Sequence, residues 1–245
     1  MTKFTSATGA ALLLCAAAQP AMAQDASPPP PPPPPVAGSG LTQSGNDDTS
    51  LRFEREWSIR EMLASPESYT RAHRLASGVS RCVVERAGAE AGSYLGGPMT
   101  GDEGFEALTE ALTKDHRRCI QSDAQGIPMT IVNAALAEQV ILAAGPELEP
   151  RAMSLNQDEA DAFTTMGPNV KVNFDIIGRC AAVYSPGLTY EVLKTEPGSD
   201  EELSALNKLY TNTPECGLRE SPDGAPTGYQ RGVLAAGLYH WINRG

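Results

Sequence analysis

Glu138 is the residue of this chain whose setting most invites chemistry: a carboxylate inside the stretch 129–144, which is otherwise apolar almost all round. A buried carboxyl loses the hydration of its charged form, so its pKa rises and it can act as a general acid or base. The competing expectation is a glutamate that faces solvent or pairs with an arginine on a neighbouring helix. The three histidines, His73, His116 and His240, have no histidine or cysteine at metal-ligand spacing and read as solvated or core-edge residues. Of these, His116 is the one to watch as a base, because Asp115, Arg117 and Arg118 adjoin it. Arg81 and Arg179 each precede a cysteine, and a paired anion-binding role is conceivable. The simpler reading is a positive charge in the last turns of a helix, favourable to its dipole. The glycine clusters follow no strand, so they match neither a phosphate loop nor a nucleophile elbow. No catalytic residue, metal site or cofactor is expected from these patterns.

The cysteines say more. Cys82 and Cys119 are 37 residues apart, Cys180 and Cys216 are 36 apart, and the first of each pair follows an arginine. Between them lies a helix-start signal, Thr100–Glu103 in one stretch and Ser199–Glu202 in the other. After each second cysteine come a glycine and a proline, Gly126 with Pro128 and Gly224 with Pro226, opening an apolar run. The offset is 98 residues at Cys82 and Cys180, at the glycines, at the prolines, and at Leu136 and Leu234. This pattern is an internal repeat. Four cysteines allow three pairings, and the repeat selects Cys82–Cys119 and Cys180–Cys216. Each bridge should stabilise its unit by about 3–4 kcal/mol in the chain-entropy account.

The elements that must position these residues are helices. Ser65-Pro66-Glu67 starts one, and Tyr69, Ala72, Ala76, Val79 and Val83 give it a buried stripe ending near Gly88. Leu108 and Leu112 mark a second, and the proline-led runs 129–144 and 229–242 are too apolar for a surface. A short helix is expected over 157–164, then a second set on Phe174, Ile177, Ala181 and Tyr184, and on Leu206, Leu209 and Tyr210. Val170 to Phe174 is the one strand candidate. The expected architecture is all-α, with two quasi-equivalent helical units, each stapled by its own disulfide.

The N-terminus reads as an export signal over 1–23, with Lys3, an apolar core and Ala21-Met22-Ala23 before a cut at Gln24. Residues 24–50 carry eight consecutive prolines, Pro28 to Pro35, and read as a disordered spacer with an extended rod of roughly 25 Å. The first unit with its N-terminal arm then spans 51–145, a linker 146–171 and the second unit 172–245. Cleavage removes one lysine and Cys15, leaving four cysteines and 18 basic against 30 acidic side chains. An even cysteine number suits an oxidising compartment. A charge of −11 before cleavage, without a basic stripe, argues against nucleic acid. No run approaches the ~18 apolar residues of a membrane span.

Arg81-Cys82-Val83-Val84, Pro197-Gly198-Ser199 with Glu202, and Arg231-Gly232-Val233-Leu234-Ala235 resemble exported bacterial proteins built on paired-cysteine helical repeats. The resemblance covers roughly 69–241 and implies export and a helical fold, with no activity attached. The first copy departs from it, with Asn133-Ala134 in place of Arg231-Gly232. The leading expectation is a non-catalytic interaction or scaffold module of the periplasm or envelope, with a protein or envelope partner. The alternatives are a carrier of an apolar small molecule, lined by Tyr190, Tyr210, Tyr229, Tyr239 and Trp241, and an enzyme assembled around Glu138 or His116.

Overall fold

The computed structural model describes residues 62–96, 105–165 and 173–244. The chain divides into units 1–48 and 49–245, and all the described residues belong to the second. The expected signal, the proline-rich spacer, most of the arm and the Thr100–Glu103 capping box lie outside the described residues. Among those described there are eight α-helices and no strand. None is long and apolar enough to cross a membrane.

Capping side chains set half of the helix starts. Helix α1, Pro66–Ala87, opens with the Ser65 hydroxyl accepting from the Ser68 N–H, and proline stands at its first position. It ends at Gly88, whose φ of 57° favours a residue without Cβ. A 3-10 turn over Gly88–Tyr94 follows, and α2 is Glu106–Thr113. Short 3-10 turns at Arg117–Cys119 and Ser122–Ala124 lead to α3, Met129–Ala144. Helix α4, Gln157–Thr164, has the bounds that its sequence implies and is capped by Asn156. Asn173 caps α5, Phe174–Tyr184, so Phe174 opens a helix rather than closing the strand candidate. Helix α6 is Pro186–Leu193 and α7 is Asp200–Asn212. A 3-10 turn at Pro214–Cys216 precedes α8, Thr227–Ile242.

Some elements of the two halves stand at matched sequence positions. Helices α3 and α8 have the same length and bounds shifted by 98 residues, and both follow a proline with nearly identical angles. Pro128 has φ −54° and ψ 136°, and Pro226 has φ −52° and ψ 137°. The 3-10 turn at Gly88 and α6 at Pro186 start 98 residues apart but differ in form. Three of the seven residues of the first are glycine or serine, poor helix formers, whereas the second begins with a proline pre-set for the helix. Disulfides join Cys82 to Cys119 and Cys180 to Cys216, each with a Cα–Cα distance of 5.6 Å. Each therefore closes a loop within its own half.

Burial explains why α3 and α8 are apolar on every side. Helix α3 packs on α1, α8 packs on α5, and α3 and α8 pack on each other. The cores merge across that seam. Ala137 and Ile141 of α3 cluster with Ala182 and Val183 of α5 and with Ala235, Leu238 and Trp241 of α8. Ala134, Val233 and Ala236 form a second shared cluster. Helices α5 and α8 come closest at two glycines. A Cβ on Gly178 would lie 2.5 Å from the Val233 carbonyl oxygen, and one on Gly237 would lie 2.7 Å from the Gly178 backbone.

Candidate functional site

Helix α3 carries Glu138 into the seam, where it is 2% exposed. Helix α8 brings Arg231, 1% exposed, to meet it. The pair is bidentate: Arg231 Nε donates to Oε2 at 2.8 Å and Nη2 to Oε1 at 2.9 Å. His73 of α1, fully buried, donates from Nε2 to Oε2 at 2.9 Å. Its Nδ1 has no partner among the described residues. Burial pushes the Glu138 carboxyl up, but hydrogen bonds and charge from His73 and Arg231 outweigh it and hold it at about 2. Burial likewise opposes the Arg231 charge, and Glu138 and Glu202 overcome that too, keeping the guanidinium cationic.

Arg231 also ties down the end of α6. Nη1 donates to the Val192 carbonyl at 2.8 Å, and Nη2 donates to the carbonyls of Leu193 and Thr195. These are carbonyls at the helix's C-terminal end, where a cation complements the dipole. Nη1 reaches Glu202 Oε1 at 3.2 Å. Glu202 belongs to the Ser199 capping box: Ser199 Oγ accepts from the Glu202 N–H, and Glu202 Oε2 accepts from the Gly198 N–H at 2.8 Å. The position 98 residues before Arg231 is Asn133, whose side chain also meets the backbone after the preceding short helix, but as an acceptor and not a donor. Its Oδ1 accepts from the Gly96 N–H at 3.0 Å, just past the 3-10 turn at Gly88–Tyr94.

Beside this network opens a cleft of about 600 Å³ between α1, α3 and residues 193–197. Arg74, Ser77 and Arg81 line it from one face of α1, Glu138, Gln139 and Leu142 from α3, and Arg231 from α8. Leu193, Lys194, Thr195, Glu196 and Pro197 complete the wall. The Ser77 hydroxyl is buried without a hydrogen-bond partner among the described residues.

The structure separates the remaining candidates. Arg81 is exposed at the cleft, whereas Arg179 is half-buried on α5, stacked 5.3 Å over the Phe163 ring. The two arginines therefore share a sequence position but not an environment. His116 is buried, with Nε2 3.4 Å from the Tyr94 hydroxyl and its ring tilted against that tyrosine. Asp115, Arg117 and Arg118 line a separate surface hollow with Arg86 and Lys114. Among the described residues no three His, Cys, Asp or Glu side chains gather as a metal-ligand set.

Sequence reasoning flagged Glu138 and an arginine partner in general, but missed that His73 and Arg231 converge on it. A signal for Arg231 existed. It is a charge inside the second proline-led apolar run, opposite in sign to the charge inside the first. Two helices too apolar for a surface, each carrying one charge, have reason to pair them. Comparison with family models, curated proteins and solved structures returns no match for this chain.

Proposed function

We propose that this chain is an exported, non-catalytic binding module of the periplasm or cell envelope, built by duplication of one helical unit. The observation that carries the reading is the state of Glu138. Its two oxygens accept three charge-assisted or imidazole hydrogen bonds, and its carboxyl sits at about 2. A carboxylate so held has little basicity near neutral pH, so the group that most invited an enzyme reading serves instead as a tie between halves. Two disulfides are compatible with an oxidising compartment. The aromatics that would line an apolar carrier's cavity are occupied in packing. Tyr210 is fully buried and bonded to Gln230, Tyr239 donates to the Gly92 carbonyl, and Tyr229 is wedged edge-on against Tyr69 and Phe174. The binding face is the cleft beside Arg231.

Mass spectrometry of the protein isolated from the periplasmic fraction of its own host tests this. The expected result is a chain beginning at Gln24 with both disulfides formed and an envelope component co-purifying in fixed ratio. A cytosolic chain with its first residues intact and free thiols would overturn the reading.

A further inference from the structure

We infer that the cleft between α1, α3 and residues 193–197 binds an oxyanion, a carboxylate or phosphate, with the Arg81 guanidinium, Ser77 hydroxyl and Gln139 amide as its donors. The inference rests on the binding-module reading and names the ligand chemistry of that same cleft. Three polar groups there lack partners among the described residues. The Ser77 hydroxyl is buried and unbonded, an arrangement that costs about 1–3 kcal/mol unless a ligand or water satisfies it. Arg81 lies one helical turn along the same face of α1, at i+4 from Ser77, with neither ion pair nor hydrogen bond. Gln139, half-buried on α3, offers an amide across the cleft.

Four cations, Arg74, Arg81, Lys194 and Arg231, and two carboxylates, Glu138 and Glu196, line the cleft. Of the lining carboxylates, Glu138 is neutralised by the bidentate Arg231, and Glu196 stands 3.4 Å from Arg74. Lys194 pairs at 2.6 Å with Glu191. The Arg74 and Lys194 pairs are solvent-exposed, and such pairs are worth little, so Lys194 can turn to an incoming anion at small cost, whereas Arg74 is held as well by the Pro197 carbonyl at 2.6 Å. On a chain of net charge −11, Arg81 is thus a cation at the cleft with no carboxylate paired to it among the described residues. Leu142, Leu193 and Pro197 add apolar surface, which suits an anion carried on a short apolar stem.

Isothermal titration of the full chain with hexyl phosphate, inorganic phosphate and hexanol tests the site. Hexyl phosphate should bind once per chain and hexanol should not. Arg81→Glu should weaken binding at least about tenfold, and Ser77→Ala by a smaller factor. The melting temperature of Arg81→Glu should stay unchanged, since its side chain is exposed and unpartnered. Should that variant fold poorly, Gln139→Ala gives the same reading. Tighter binding of hexyl phosphate than of inorganic phosphate would assign the apolar wall to the ligand's stem. Equal affinities would assign the site to the free anion. Absence of binding by both anions, or binding untouched by Arg81→Glu, overturns the inference. Release of inorganic phosphate from hexyl phosphate would leave the site standing and sink the non-catalytic reading instead.

Discussion

Removing one member of the Glu138–Arg231 pair leaves its partner charged and desolvated, a loss of about 3–5 kcal/mol. Arg231→Met should therefore lower the unfolding free energy from urea titration by an amount in that range, read as a lower midpoint with an unchanged slope. Exchanging a buried ion pair for two apolar side chains is often neutral, but that relief should fail here. Glu138→Met with Arg231→Met still strips the carbonyls of Leu193 and Thr195 of their Arg231 donor, and Glu202 of its counter-charge. The double variant should remain clearly less stable than the native chain. Acidity acts on the same group. Glu138 sits at about 2 when folded against an ordinary 4.5, so its folded-state pKa is depressed. The stability it contributes is complete above about 4.5 and lost as pH falls through about 2. Urea midpoints measured across that window should fall, and Glu138→Gln should flatten this part of the profile.

Element contacts are tightest where α5 crosses α8, and the requirement there is for nothing at all in the Cβ position. Gly178→Ala would drive a methyl into the Val233 carbonyl, and forcing the helices apart should cost about 1–3 kcal/mol. Gly78 on α1 is the control. A Cβ there meets nothing within 4 Å, so Gly78→Ala should raise stability by about 0.5–1 kcal/mol through helix propensity alone. Thermal unfolding of the two variants should move in opposite directions. Local signals made most of this architecture legible beforehand. Ser65 with Pro66, and Ser199, mark helix starts within a short window, and chain chemistry decides them there. The all-round apolar runs announced burial for α3 and α8, and the 98-residue register announced both disulfides. The convergence of His73 and Arg231 on Glu138 was not legible in the same way. They lie 65 and 93 residues from it in sequence, and no periodicity or cap reports a contact made only by tertiary packing. The open face at Arg81 and the filled one at Arg179 differ for the same reason. What stands opposite each arginine comes from elsewhere in the chain.

At the scale of the whole molecule, two covalent loops are joined by apolar clusters that they share. The bridges lie within residues 82–119 and 180–216, whereas the clusters around Ile141 and Val233 draw on both halves. The stretch after α3 adds a further embrace. The Gly187 and Leu188 N–H groups donate to the carbonyls of Glu149 and Pro150, and Phe163 of α4 rests edge-on against Trp241 of α8. N-terminal sequence thus wraps the C-terminal half before the chain crosses into it. Neither disulfide among the described residues spans 166–172, so a protease site placed there would separate the two bridged loops. The nicked protein should still run as one particle in native buffer and separate in denaturant without any reductant. Expressed as two chains, the fragments should find one another, with Arg231 and Glu138 acting as the latch. The fold is thus a natural candidate for a split reporter whose reassembly is weakened by Arg231→Met.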